Sequence, residues 1–102
     1  MGAGKGRTRA VNDSGGSARY RALIESRAEK HLARIDPVIR RRIAKAIDAL
    51  CTDPEPAGCV PLKSMPGVLR LRVGDYRIVY QVSKDQHVID VIDIDHRKDI
   101  YR

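Results

Sequence analysis

The stretch Val68 to Val82, VLRLRVGDYRIVYQV, alternates apolar and polar residues on both sides of Gly74-Asp75. This is the pattern of two short strands joined by a tight turn. Glycine at the first central position of a two-residue loop suits a type II′ turn, because it takes φ > 0 without steric cost. Such a turn sets Val73 opposite Tyr76, Arg72 opposite Arg77, Leu71 opposite Ile78 and Arg70 opposite Val79. Alternation then gives one face to Leu69, Leu71, Val73, Tyr76, Ile78 and Tyr80, and the other to Arg70, Arg72, Arg77, Val79 and Gln81. Three guanidinium groups share that second face, and two of them oppose each other at a cost of roughly 0.2–1 kcal/mol. A polyanion laid on the patch removes the repulsion, since the planar fork of arginine takes two phosphate oxygens at once. A solvated face of an antiparallel sheet also tolerates such charges, so the residues alone leave both readings open.

At 102 residues the chain is one small domain with a thin core. Trp and Phe are absent and Tyr numbers four, so that core is expected to be aliphatic. The formal charge of +7 points to an acidic partner: nucleic acid, an anionic membrane or an acidic protein. No apolar run approaches the ~18 residues of a membrane span, and the N-terminus lacks the apolar segment of a secretion signal. The expected location is the cytoplasm. Cys51 and Cys59 have neither the spacing nor the companion ligands of a zinc site. They are expected as buried or idle thiols of a reducing compartment.

Residues 1–18 are rich in Gly and small polar types, with Val11 the only aliphatic side chain bulkier than Ala. A segment with so little to bury is expected to be a flexible tail, leaving 19–102 as the folded domain. Arg19 to Glu25 reads as a first strand. Ser26 with Glu29 three residues on has the form of a capping box, opening a helix with Ala28, Leu32 and Ile35 on one face. Asp36-Pro37 starts a second helix, with Asp36 as N-cap and Pro37 at the first helical position. Ile39, Ile43, Ala46, Ile47 and Leu50 form its apolar stripe, and Thr52-Asp53-Pro54 ends it. Arg40, Arg41, Arg42 and Lys45 lie mostly off that stripe, as a solvated face or as a seat for an acidic partner segment. In LKSMPG, Leu62 and Met65 are expected at the edge of the core and Lys63 near the arginine patch. Val88 to Ile94 forms a third meander strand carrying Asp90 and Asp93, with Asp95 beyond it. Strand parity separates Asp90 from Asp93 and leaves Asp93 and Asp95 on one face, where they are expected to pair with arginines rather than hold a metal ion. The result is an α+β fold in the order β-α-α-β-β-β, a small antiparallel β-sheet packed against an N-terminal helical hairpin.

LKSMPG, then LRLRVGDYRIVYQV, then a strand ending in HRKDIYR together resemble the RelE/ParE superfamily of bacterial toxins, the RelE branch in particular, over about Tyr20 to Arg102. The resemblance implies the same small sheet and helical hairpin. It implies cleavage of messenger RNA in the ribosomal A site, without metal or other cofactor, by driving the ribose 2′-OH onto the adjacent phosphate. Carried over by motif, the phosphate-stabilising arginine falls on Arg77, a second functional arginine on Arg97, and an active-site tyrosine on Tyr101. The two basic residues before the hairpin turn fall on Arg70 and Arg72, where RelE enzymes often carry lysine. Arginine stays protonated and is a poor general base, so His96 is an added candidate for proton transfer, or else a hydrogen-bonded residue at a strand end. The implied partners are the ribosome with its mRNA and a cognate antitoxin protein, in a toxin–antitoxin hetero-oligomer, with no membrane involved. The alternative within the superfamily is a ParE-like toxin that poisons DNA gyrase by binding it, with no chemistry of its own.

Overall fold

The computed structural model describes residues 19–96 and the backbone of a strand at Thr8–Val11. The alternating hairpin forms β4, Val68–Val73, and β5, Tyr76–Ser83. Gly74 sits at φ 63° with Asp75 on the ordinary negative side, as a type II′ turn requires. Arg72 pairs with Arg77, Leu71 with Ile78 and Arg70 with Val79. The register is the one the turn residues dictate. β6, Val88–His96, adds to β5 antiparallel and completes the meander.

β2, Arg21–Glu25, lies on the other side of β6 and runs parallel to it. The sheet is therefore mixed rather than wholly antiparallel. A parallel neighbour needs a long crossover, and the helical hairpin with the first two meander strands supplies it. Two further strands extend the sheet to the order β1-β2-β6-β5-β4-β3. β1, Thr8–Val11, pairs antiparallel with β2, so the stretch expected as a tail contributes an edge strand. The remainder of 1–18 lies outside the described residues. β3, Val60–Pro61, pairs with Leu69 and Arg70 of β4. Both strands are too short for hydrophobic alternation to announce them.

α1 spans Ser26–Ala33 and α2 Pro37–Leu50. The expected capping box does not form: Ser26 is already helical, and Glu25 stands at the N-cap with extended backbone and no side-chain cap. β2 runs directly into α1, so the junction residue belongs to the strand and no linker residue is left to cap. α2 starts as its sequence dictates, with the Asp36 carboxylate accepting the Val38 N–H at 3.1 Å and Pro37 in the first turn. Ile43, Ile47 and Leu50 are buried, while Ile39 and Ala46 are half-buried. They pack with Ala22, Ile24, Ala28, Ile78, Ile89, Val91 and Ile94 into one aliphatic core. Leu62 is half-buried, but Met65 is 43% exposed and does not close the core edge. Cys51 and Cys59 are free thiols, buried and half-buried. Among the described residues no helix is long and apolar enough to cross a membrane.

Among the described residues Tyr80 is the one aromatic ring fully inside, and its hydroxyl donates to the Pro54 carbonyl at 2.8 Å. Burial pushes its phenol well above the ordinary value, helped by the Cys59 side chain and by the charges of Cys59, Glu55 and Asp53. The fold thus favours the neutral phenol. Its stabilisation is complete below about pH 10, where an unfolded tyrosine is also neutral, and is lost as pH rises from there toward the folded value. We predict that Tyr80→Phe lowers stability at neutral pH by about 1 kcal/mol, the typical net worth of one hydrogen bond. Urea melts of both proteins on either side of about pH 10 check this. The advantage of the native protein should shrink on the alkaline side, and an unchanged gap would contradict the assignment.

Candidate active site

β5 has a strand on each side, so each of its side chains meets one neighbour from β4 and one from β6. Arg77 lies between Arg72 and Asp95, Val79 between Arg70 and Asp93, and Gln81 between Val68 and Asp90. The like-charged pair read from the sequence is real in register, but a carboxylate flanks it on the far side. Arg77 is buried, at 6% exposure, and Val79 at 5%. The polar face is thus closed at its centre rather than solvated. Arg70 is half-buried and Arg72 exposed, with Arg72 Nε donating to the Gly74 carbonyl at 3.2 Å. From α2, Arg42 brings Nη1 to 4.0 Å from where a Cβ on Gly74 would stand, adding a cation beside the turn.

The parity expected for the three aspartates does not hold. Pairing shifts between Val79↔Asp93 and Tyr80↔Val91, so Ile92 is an extra residue in β6. A bulge resets alternation by one. Asp90, Asp93 and Asp95 therefore all pair with the Arg77, Val79, Gln81 series of β5, rather than only the last two sharing a side. Asp93 is largely buried; its Oδ1 accepts the Ile94 backbone N–H at 2.8 Å and meets Nδ1 of His31 at 2.7 Å. Its other oxygen lies 3.5 Å from Nε of Arg27. The arginine that Asp93 meets thus comes from α1, not from the hairpin. His31, Asp93 and Asp95 bring one ligand-capable atom each within 4.8 Å of one another. Arg27 already supplies a cation to that cluster, and the His31–Asp93 hydrogen bond already engages two of its three donors.

His96, at the end of β6, meets Tyr76 edge to face with ring centroids 5.1 Å apart. The two line an open depression of about 170 Å³ with His31, Arg34 and Asp95. Lys63 is exposed in the turn after β3, beside the Val68 end of β4, because Pro61 pairs with Leu69 and the Leu62 N–H bonds the Val68 carbonyl. The loop thus folds beside the first hairpin strand, with Lys63 toward the Arg70 end of the arginine face and Arg72 at the opposite end of the strand. Arg97 and Tyr101 lie outside the described residues. His31, Arg34 and Arg42 join the site without having been singled out for it in the sequence. The spacing of α1 puts Arg27, His31 and Arg34 on one flank, but only the position of α1 against β6 gives that flank a meaning.

The burial of Arg77 changes what its removal should do. An exposed strand arginine is worth within about ±0.5 kcal/mol, whereas a buried side chain with packed stem and flanking carboxylate costs roughly 0.5–3 kcal/mol on truncation. Denaturant melts should therefore separate Arg77→Ala, destabilised, from Arg72→Ala, nearly neutral. Equal melting of the two would show that Arg77 is not held by its surroundings.

The ParE toxin of type II toxin–antitoxin systems provides a family model that matches residues 22–101. A RelE-like toxin protein of Escherichia coli is 28% identical over 90 residues, covering 81% of this chain and 90% of its own. Toxin RelG of Mycobacterium tuberculosis is 26% identical over 84 residues, covering 81% and 97%. Among solved structures, the archaeal RelE–RelB complex from Pyrococcus horikoshii superposes at a TM-score of 0.69 with 27% identity, over 78% of this chain and 96% of that one. The Escherichia coli RelBE toxin–antitoxin complex superposes at 0.64 with 27% identity, over 78% and 96%. The chain belongs to the ParE toxin family of type II toxin–antitoxin systems, in the RelE-like branch of the RelE/ParE superfamily.

Proposed function

We propose that this toxin is a ribosome-dependent endoribonuclease that stops translation by cutting mRNA, without a metal ion or other cofactor. The observation that carries the reading is Arg77, fixed at the centre of the hairpin between Arg72 and Asp95. In-line attack of the ribose 2′-oxygen builds charge on the phosphate, and a guanidinium that cannot relax stabilises that charge more than the ground state. Arg77 and Arg97 take this role. Arg70 and Arg72 bind the phosphates on either side and Tyr101 stacks on the substrate. His96, paired with Tyr76 on the face of the sheet opposite Arg77, does not move the proton as expected from the sequence. Lys63, at the Val68 end of β4, reaches flanking phosphates. Holding the 2′-oxygen, phosphorus and leaving oxygen in line supplies the remaining acceleration.

A cognate antitoxin is the natural silencer, since the solved relatives include RelB–RelE complexes. Arg40, Arg41, Arg42 and Lys45 offer its acidic residues a basic helical face beside the hairpin turn. Work on ribosomes and binding to an antitoxin place the toxin in the cytoplasm. The matching family model bears the ParE name, which keeps gyrase poisoning as the second reading. Induction separates the two: arrest of translation first supports the nuclease, arrest of replication with a damage response the gyrase poison.

Single-turnover cleavage on programmed ribosomes tests the site itself. Arg77→Lys keeps the charge and loses the fork, and should slow cleavage while folding normally. Arg77→Gln, which loses the charge too, should cost on the order of 10²–10³ in rate. Cleavage by a folded Arg77→Gln protein at the native rate would remove this residue from the active site.

A further inference from the structure

Arginine cannot accept a proton at neutral pH, so a site built on Arg70, Arg72 and Arg77 needs its base from elsewhere. The chain has three histidines. His87 sits in the turn before β6 with its ring against Tyr20, at the end of the strand away from His96. The other two, His31 and His96, line the same depression.

The fold brings His31 there by ending β2 early. β2 pairs with β6 only as far as Ile24↔Val91. Beyond that point β6 has β5 on one side, and α1 packs against it. His31 thereby reaches Asp93 at 2.7 Å, with Asp95 Oδ1 3.7 Å from the same nitrogen. Asp93 is in turn held by the Ile94 backbone N–H at 2.8 Å. A carboxylate only accepts, so Nδ1 carries the proton and Nε2 is left as the basic nitrogen. Asp95 links this pair to the arginine row, since it stands directly opposite Arg77. The other charged groups around the ring are Arg27, Lys30 and Arg34 of α1, with His96 of β6 and the Tyr76 hydroxyl of β5 across the depression.

We propose that His31, oriented by Asp93, is the general base of RNA cleavage; the assignment rests on the nuclease reading above. His96 pairs with Tyr76 and so lies on the face of the sheet opposite Arg77, which leaves water as the acid. The 2′-oxygen bonds to the scissile phosphorus as its proton passes to Nε2 of His31. The bond from phosphorus to the 5′-oxygen breaks, its electron pair staying on that oxygen, which takes a proton from water. The products are a 2′,3′-cyclic phosphate and a 5′-hydroxyl end. The hydroxide left by that water takes the proton from the His31 imidazolium and returns the ring to its starting form. A carboxylate behind the base fixes its tautomer and steadies the imidazolium it becomes.

The experiment is single-turnover cleavage of mRNA on programmed ribosomes from about pH 5 to 9, the range in which imidazole changes charge. Affinity for the ribosome and the melting temperature are read on the same preparations. His31→Gln should slow cleavage by roughly 10²–10⁴-fold, the usual worth of a positioned base, and abolish the fall in rate on the acid side. Ribosome affinity should be unchanged, and added imidazole should restore part of the rate. Asp93→Asn keeps Oδ1, which accepts from both the Ile94 N–H and His31 Nδ1, but removes the negative charge that steadies the imidazolium, so it should slow cleavage with the same affinity. If His31→Gln melts early, Asp93→Asn carries the test. Native cleavage with unaltered rate and acid limb in either folded variant overturns the base assignment and leaves the nuclease standing. A native protein that leaves mRNA intact overturns the nuclease reading and this assignment with it.

Discussion

The register of the Gly74-Asp75 hairpin is the constraint on which the rest of the site depends. A two-residue turn with Gly74 at positive φ permits one pairing of β4 with β5, and a slip by one residue would exchange the two faces of each strand. In the observed register Ile78 and Tyr80 enter the core while Arg77 takes the opposite side. Aliphatic burial therefore enforces the placement of the arginines. At about 25 cal/mol per Å² of apolar area, moving those side chains into water would cost far more than any repulsion between Arg72 and Arg77.

That repulsion is tempered within the fold. Asp95 stands opposite Arg77 from the β6 side while Arg72 stands opposite it from β4. The arrangement holds a guanidinium rigidly in a place of reduced solvent. Such a group is well suited to charge that develops only in a transition state, because little reorganisation is needed when the charge appears. Exposed Arg72 and Arg42, by contrast, are placed to attract and seat a polyanion. Burial thus sorts the same residue type into two roles across one hairpin.

The β6 bulge and the short β2 act together at the other end of the site. Ile92 re-aims the carboxylates that follow it, and the termination of β2 lets α1 cover the vacated flank. Asp93 and His31 meet as a consequence. A superfamily scaffold shared with RelE toxins thereby acquires an imidazole–carboxylate pair next to its arginines. Fold alone does not choose between nuclease and gyrase poison; the side chains gathered at this edge favour chemistry.

Much of this was determined by the sequence itself. Alternation about Gly74-Asp75 dictated the hairpin and its register, the 3.6-residue stripe of Ile39, Ile43, Ala46, Ile47 and Leu50 dictated α2, and Asp36-Pro37 dictated its start. These are local signals, each written in contiguous residues whose periodicity or turn chemistry admits one conformation. The burial of Arg77, the common alignment of the three aspartates and the meeting of His31 with Asp93 were decided only in three dimensions. So were the parallel pairing of β2 with β6 and the edge strands β1 and β3. Each depends on a single inserted residue, on where a strand stops, or on a strand too short to show a period. Partners 62 positions apart, as His31 and Asp93 are, leave no trace in local pattern, because the sheet that joins them exists only once the chain has folded.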